Sequence, residues 1–154
     1  MSAHEQAVYD ALRALGVAHE VLHHAPAYTM ADCLGLGLAP DIAYCKNLFL
    51  CNRQQTQFYL LLALADKAFR TAEVSRQLGV SRLSFAPERL LPEYLGLLAG
   101  AVSPFGLLFD SDRRVRLLVD ADLARHARAA FHPCVNTTTV VLSTRDFFDV
   151  LLPH

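Results

Sequence analysis

The sequence predicts an α+β fold: a single domain over residues 1–154, built on a mixed or antiparallel β-sheet or partial barrel and flanked by short helices. Three observations carry that expectation. The chain has 154 residues, 53% of them hydrophobic, which is enough apolar side chain for one core and too little length for two. Runs with period-two spacing and runs with helical spacing are interspersed, without the regular βαβ alternation of a parallel sheet. The helical runs are also short.

Val8, Ala11, Leu12 and Leu15 fall at helical spacing ahead of Gly16, which predicts an amphipathic helix over residues 3–15 with its apolar stripe on the sheet. Residues 18–22 read as a short strand. Thr29 with Asp32 three residues later resembles the start of a short helix that carries Met30, Cys33 and Leu34 and ends at Gly35 and Gly37. Residues 43–51 and 57–64 are apolar runs joined by Asn52, Arg53, Gln54 and Gln55, a connection of hairpin length that predicts an antiparallel pair. Thr71 is placed to cap a helix over residues 71–78 closed by Gly79, and Ala86–Tyr94 reads as another, with Pro87 suited to a first turn. Leu107–Asp110 and Val115–Asp120 are expected as strands around a turn of Ser111, Asp112 and Arg113. Asp122–His126 is expected to be helical and Thr137–Ser143 a β-branched strand. Thr144–Leu152 reads as a terminal helix capped by Thr144.

Composition excludes several function classes. With 14 Lys and Arg against 15 Asp and Glu, the net charge of -1 lacks the bulk positive field of a non-specific nucleic-acid or membrane-surface binder, so any RNA contact must be local. No apolar run reaches the roughly 18–20 residues needed to cross a bilayer, and no basic region followed by an apolar stretch marks a secretory signal; a cytoplasmic protein is expected. Cys33, Cys45, Cys51 and Cys134 occur without CxxC spacing, which fits reduced thiols. No HExxH, GxSxG, Walker A or GxGxxG pattern is present, so neither metal nor cofactor is expected.

Three places resist a purely structural reading. Alternation in residues 43–51 puts Lys46 on one face with Tyr44, Leu48 and Leu50. That fits a strand-end lysine reaching for water, and equally a cation at the rim of an apolar pocket, able to hold a phosphate or a carbonyl oxygen. Gly100-Ala-Val-Ser103-Pro104-Phe105-Gly106 sets two glycines about a proline, either an ordinary connection or a backbone shaped to approach a ligand and offer N–H donors to an oxyanion. His132 and Asn136 lie in a loop before a strand, where they could converge on a pocket or serve local turns. Arg70, Arg76, Arg82, Arg113, Arg114 and Arg116 are the positive groups available to phosphates. A Cys45/His132 nucleophilic pair is disfavoured because Cys45 sits mid-strand among apolar residues.

Lys46-Asn47-Leu48-Phe49-Leu50, Arg82-Leu83-Ser84-Phe85-Ala86, the Gly100–Gly106 loop and Phe131-His132-Pro133 followed by Asn136-Thr137 together resemble, in order and spacing, the YbaK/prolyl-tRNA-synthetase-associated deacylase domain. The details are most similar to free-standing alanyl-tRNA(Pro) deacylases, and the resemblance runs from the first helix to the last. It implies hydrolysis of the ester between a mischarged amino acid and the terminal adenosine of tRNA, without a metal, the water being activated with help from the substrate's ribose hydroxyl. It implies catalytic roles for Lys46, Gly100 and His132, with His132 positioning the aminoacyl group, and substrate contacts from Met30, Leu34, Ser103, Pro104, Phe105, Gly106 and Asn136. Arg82 is the implied tRNA contact, and prolyl-tRNA synthetase is a further candidate partner. Cysteinyl- or seryl-tRNA, or a non-catalytic tRNA- or synthetase-binding module, are the alternatives.

Overall fold

The computed structural model describes residues 3–24, 42–64, 71–79, 83–97, 102–110, 114–135 and 137–152. The expected short helix carrying Met30 and Leu34 lies outside them. So do Arg82, Gly100 and Asn136.

Helix α1 (Ala3–Ala14) buries Val8 and Leu12, and Gly16 ends its last turn with a left-handed φ of 70°. Strands β1 (His19–His23), β2 (Ile42–Asn52) and β3 (Phe58–Leu64) follow, β2 and β3 being the expected antiparallel hairpin. Helix α2 (Thr71–Leu78) leads to the short β4 (Leu83–Phe85), whose Leu83 N–H donates to the buried Ser75 hydroxyl at 2.9 Å. A 3-10 turn (Glu88–Leu90) runs into α3 (Leu91–Leu95), so the helix expected over 86–94 is broken in two; Pro92 is accommodated in the first turn of α3, and Gly96 at φ 65° stops it. Strands β5 (Val115–Val119), β6 (Arg128–Phe131) and β7 (Thr138–Ser143) complete the sheet, and α4 (Thr144–Asp146) continues into a π-helical turn over Phe147–Leu151.

The fold is α+β, and the described residues form one open seven-stranded mixed sheet in the order β1-β7-β6-β2-β3-β5, with β4 paired to β2. The pairings β2–β6 and β3–β5 are parallel and the others antiparallel. The main core lies on one face, where Cys45, Phe49 and Cys51 of β2 meet Phe131, Phe105 and Phe147; the Phe131 and Phe147 rings stack 4.9 Å apart.

Three expectations are corrected. Leu107–Asp110 is not a strand but the end of a 3-10 helix (Pro104–Phe109). Ser103 Oγ accepts from Phe105 N at 3.1 Å, and Pro104, with no N–H to satisfy and a helical φ, opens the turn. The terminal helix is capped by Ser143, whose Oγ accepts from Asp146 N at 3.0 Å, rather than by Thr144. The helical segment expected at 122–126 is a 3-10 turn over Ala121–Arg125, with Asp120 Oδ1 accepting from Asp122 N.

Candidate active site

Strand β2 is the longest in the sheet, and its partners divide it. Along the edge opposite β3, residues 42–44 pair with β6 and residues 50–52 pair with β4, and Ala86 N adds a bond to the Phe49 carbonyl at 2.9 Å. Between them, among the described residues, no strand pairs with residues 45–48 on that edge. Lys46, half-buried, sits in this gap.

Alternation then fixes what faces what. Cys45, Phe49 and Cys51 point into the main core, while Tyr44, Lys46, Leu48 and Leu50 take the other face, as the sequence predicts. That second face carries two small apolar clusters: Ile42, Ala130 and Val141 with Leu22 and Tyr44, and Leu50, Tyr59 and Leu83 with Leu48 and Leu61. Lys46 lies between them along β2. The parallel register Ile42↔Arg128, Ala43↔Ala129, Tyr44↔Ala130 ends there, and His132 follows β6 by one residue beside the strand that carries Lys46 two residues past Tyr44.

His132 is held by its own turn. Its Nδ1 lies 2.9 Å from the Thr138 carbonyl, which can only accept, so Nδ1 carries the proton and Nε2 is the acceptor nitrogen of the neutral ring. Burial, reinforced by neighbouring His24, pulls its pKa below the ordinary histidine value despite the opposing Thr138 bond. The His24 ring is centred 6.0 Å away, with Nε2 2.7 Å from Thr139 Oγ1. His24, just past β1, Thr139 of β7 and His132, just past β6, thus form a polar group. The sequence does not mark His24 or Thr139 as site residues. Among the described residues no cluster of His, Cys, Asp and Glu is arranged to hold a metal.

Ser103, Pro104, Phe105 and Gly106 are all buried and face the other way. Phe105 packs edge-on against Phe131 at 6.4 Å on the main-core face, and Gly106 lies against Leu95 and Leu97. Pro104 and Phe105 border a cavity of about 580 Å³ lined also by Val115, Phe147 and Leu151, whose acidic member, Asp110, is occupied by the N–H groups of Arg114 and Val115. Neither Lys46 nor His132 lines it. Arg114, one of the expected phosphate-binding candidates, lies over the Tyr94 ring at 4.1 Å.

The family described as aminoacyl-tRNA editing domain matches residues 24–150. The chain belongs to that family. It is 36% identical over 142 residues to the prolyl-tRNA editing protein ProX of Acetoanaerobium sticklandii, covering 92% of this chain and 87% of the relative. It is 30% identical to prolyl-tRNA synthetase associated domain-containing protein 1 of Bos taurus, covering 92% of this chain and 84% of that one. A solved structure described as a candidate trans-editing enzyme for prolyl-tRNA synthetase superposes with a TM-score of 0.72 at 16% identity, over 96% of this chain and 91% of the other, and shares the fold. The activity class that goes with this family is aminoacyl-tRNA deacylation. No described helix is long and apolar enough to cross a membrane.

Proposed function

We propose that this protein acts in trans on mischarged tRNA(Pro), hydrolysing the alanyl ester and leaving correctly charged prolyl-tRNA intact. The observations that support the reading are a half-buried Lys46 in the gap of β2, between two small apolar clusters, and a ring-fixed His132 just past the end of the neighbouring strand β6.

Water adds to the ester carbonyl, the bond to the ribose oxygen breaks, and that oxygen takes up the proton, releasing alanine and a tRNA with its terminal hydroxyl restored. Lys46 holds the terminal ribose-phosphate as a fixed cation. His132 orients the aminoacyl part, and main-chain N–H groups near Gly100 receive the developing oxyanion. The substrate's ribose hydroxyl assists the water, so no protein carboxylate is required as base. Met30 and Leu34 close the pocket against the pyrrolidine ring of proline, and Asn136 completes its rim. Arg82 contacts the acceptor stem, and a prolyl-tRNA synthetase supplies the mischarged product and is a candidate physical partner. Discrimination by one methylene is worth only ~1–3 kcal/mol, so acceptor-stem contacts add to selection.

Hydrolysis of alanyl-, seryl-, cysteinyl- and prolyl-tRNA by wild type and Met30→Ala tests this. Wild type is expected to prefer the alanyl ester and spare the prolyl one, and Met30→Ala to admit larger groups at some cost in alanyl turnover. A preference for cysteinyl- or seryl-tRNA would move the substrate and keep the reaction; ready cleavage of prolyl-tRNA would end the size-exclusion reading, and binding without turnover would make the chain a tRNA module.

A further inference from the structure

The sheet face that carries Lys46 also carries an aromatic ring for which the proposed reaction has no use. Phe85 ends β4 and is 60% exposed, the most exposed large apolar side chain among the described residues. A lone exposed phenylalanine needs no explanation by itself. Its placement does. The antiparallel register Leu50↔Phe85 puts Phe85 on the same face as Leu50, and alternation along β2 makes that the face of Lys46 and Leu48. Phe85 is the last residue of the β2–β4 ladder, and the bond from Ala86 N to the Phe49 carbonyl closes it at the gap of β2. The ring thus stands at the rim of the gap that holds Lys46. Its paired residue, Leu50, is four positions beyond Lys46, about 13–14 Å at the rise of a strand. The strand beneath it is anchored: Leu83, two residues back on the same face, is 1% exposed, packs with Leu50 and Tyr59, and has its N–H bound by the Ser75 hydroxyl.

What such a ring would take is set by its surroundings. Arg53, in the turn between β2 and β3, and Arg89, in the 3-10 turn after β4, are both exposed, and Arg82 immediately precedes β4 in the sequence. Glu88 is the one acid between Arg82 and Leu90. In a chain of net charge -1 this is a local excess of cations about one aromatic side chain. Cations that hold phosphates and a ring on which a base can lie are the two parts of a single-strand nucleic-acid site. A protein partner would be better served by a contiguous apolar patch, and Val21, the other exposed large apolar residue among those described, sits on β1, three strands from β2 in the sheet order. We propose that Phe85 is a stacking platform for a nucleobase of the single-stranded acceptor end of tRNA, holding the strand that runs on to Lys46. Stacking accepts any base, so this contact adds affinity for the end that every tRNA carries, without choosing among tRNAs.

This inference rests on the deacylation proposed above, and its test separates the two. Phe85→Ala removes the ring, Phe85→Leu keeps an apolar side chain without a π face, and Phe85→Tyr keeps the ring. The chain contains no tryptophan, so Phe85→Trp introduces a single indole whose fluorescence reports a base lying on it. Each variant is followed by thermal melting and by steady-state hydrolysis of alanyl-tRNA, and Phe85→Trp also by titration with an uncharged single-stranded RNA ending in CCA. Losing one stacked base should raise KM about 5- to 150-fold in Phe85→Ala, with kcat within about two-fold of wild type. Phe85→Leu should resemble Phe85→Ala, Phe85→Tyr should resemble wild type, and the RNA should quench the Phe85→Trp emission. A Phe85→Ala protein with wild-type KM overturns the proposal, as does Phe85→Leu matching Phe85→Tyr, or an indole that the RNA leaves unquenched. Unchanged KM together with lost co-sedimentation with prolyl-tRNA synthetase would overturn it in favour of a protein contact. If Phe85→Ala does not fold, the leucine and tyrosine pair and the indole decide. If wild type hydrolyses none of the tRNA esters, the functional reading fails, while quenching by the RNA still decides whether Phe85 stacks a base.

Discussion

Adding one methyl group at Gly106 tests why glycine is needed in the loop that the sequence marks out. A Cβ there would stand 2.6 Å from Leu97 Cδ1, 3.0 Å from the Leu95 carbonyl oxygen and 3.1 Å from Leu95 Cβ. Carbon atoms in contact prefer about 3.5–4.0 Å, so all three approaches are repulsive. The Leu97 methyl is the soft partner in principle, but Leu97 is 1% exposed and has core on every side, while the Leu95 oxygen belongs to the main chain at the end of α3. Either α3 or the 104–109 turn must move, an overpacking cost of about 1–3 kcal/mol. Alanine returns about 0.4–1 kcal/mol by restricting the unfolded chain. The net loss, about 1.3 kcal/mol at the middle of these ranges, corresponds, for a chain of this length, to a fall in Tm of about 3–5 °C. Circular-dichroism melts of wild type and Gly106→Ala measure it, with urea titration as a check on the free energy. A Tm equal to or above wild type would refute the packing argument. An unchanged Tm with lost deacylation would show that the glycine is there for the substrate and not for Leu95 and Leu97.

Lys46→Ala should lower deacylation by about two orders of magnitude, comparable to removing one oxyanion-type contact, with little change in melting; single-turnover hydrolysis of alanyl-tRNA checks it. Because the folded pKa of His132 is depressed below the unfolded value of about 6.5, the folded state binds fewer protons in that window: the stability it contributes is present above about pH 6.5 and is lost as pH falls through the folded value. Urea titrations from pH 5 to 8 should show this slope, reduced in His132→Gln. Burial pushes the Cys45 and Cys134 thiols up to about 12, with the charges of Asp120 and Glu5 respectively adding to it. Iodoacetamide near pH 7.5 should therefore label neither in the folded protein, and rapid labelling of Cys45 with loss of turnover would restore the nucleophile reading. Arg82→Ala should weaken tRNA binding and flatten the dependence of log K on log salt by roughly one unit; an unchanged slope would remove Arg82 from the RNA surface.

Elements set by local pattern were legible in the sequence. The β2–β3 hairpin follows from two apolar runs and a polar connection, and α1 from its stripe and Gly16. What failed has identifiable competitors. Leu107, Leu108 and Phe109 look like a strand by composition, but Ser103 and Pro104 upstream start a 3-10 turn that carries through them. Strand β6 escaped notice because Arg128-Ala-Ala-Phe131 has two alanines, poor strand formers, at its centre; it is a strand because β2 and β7 bracket it. The parallel pairings β2–β6 and β3–β5 join segments far apart in sequence and leave no periodic signal in either partner.

The same division governs the site. Alternation alone marks Lys46 as misplaced on a leucine-bearing face, since period two needs only nine residues of one strand. It cannot say whether the lysine escapes to water or meets a partner, because the answer lies in the β2–β6 register, which spans 86 positions of chain. That register brings β6, and His132 one residue past its end, next to β2, and Thr138 and Thr139 come to the histidines because β7 pairs with β6 on its other edge. Threonines in a β-branched run are invisible as functional residues: the strand needs such residues anyway, and only a structure separates the hydroxyl that anchors a ring from the methyl that fills a core. A sequence reading that looks for unusual residues will therefore find a lysine among leucines before it finds the threonines that hold the histidine rings.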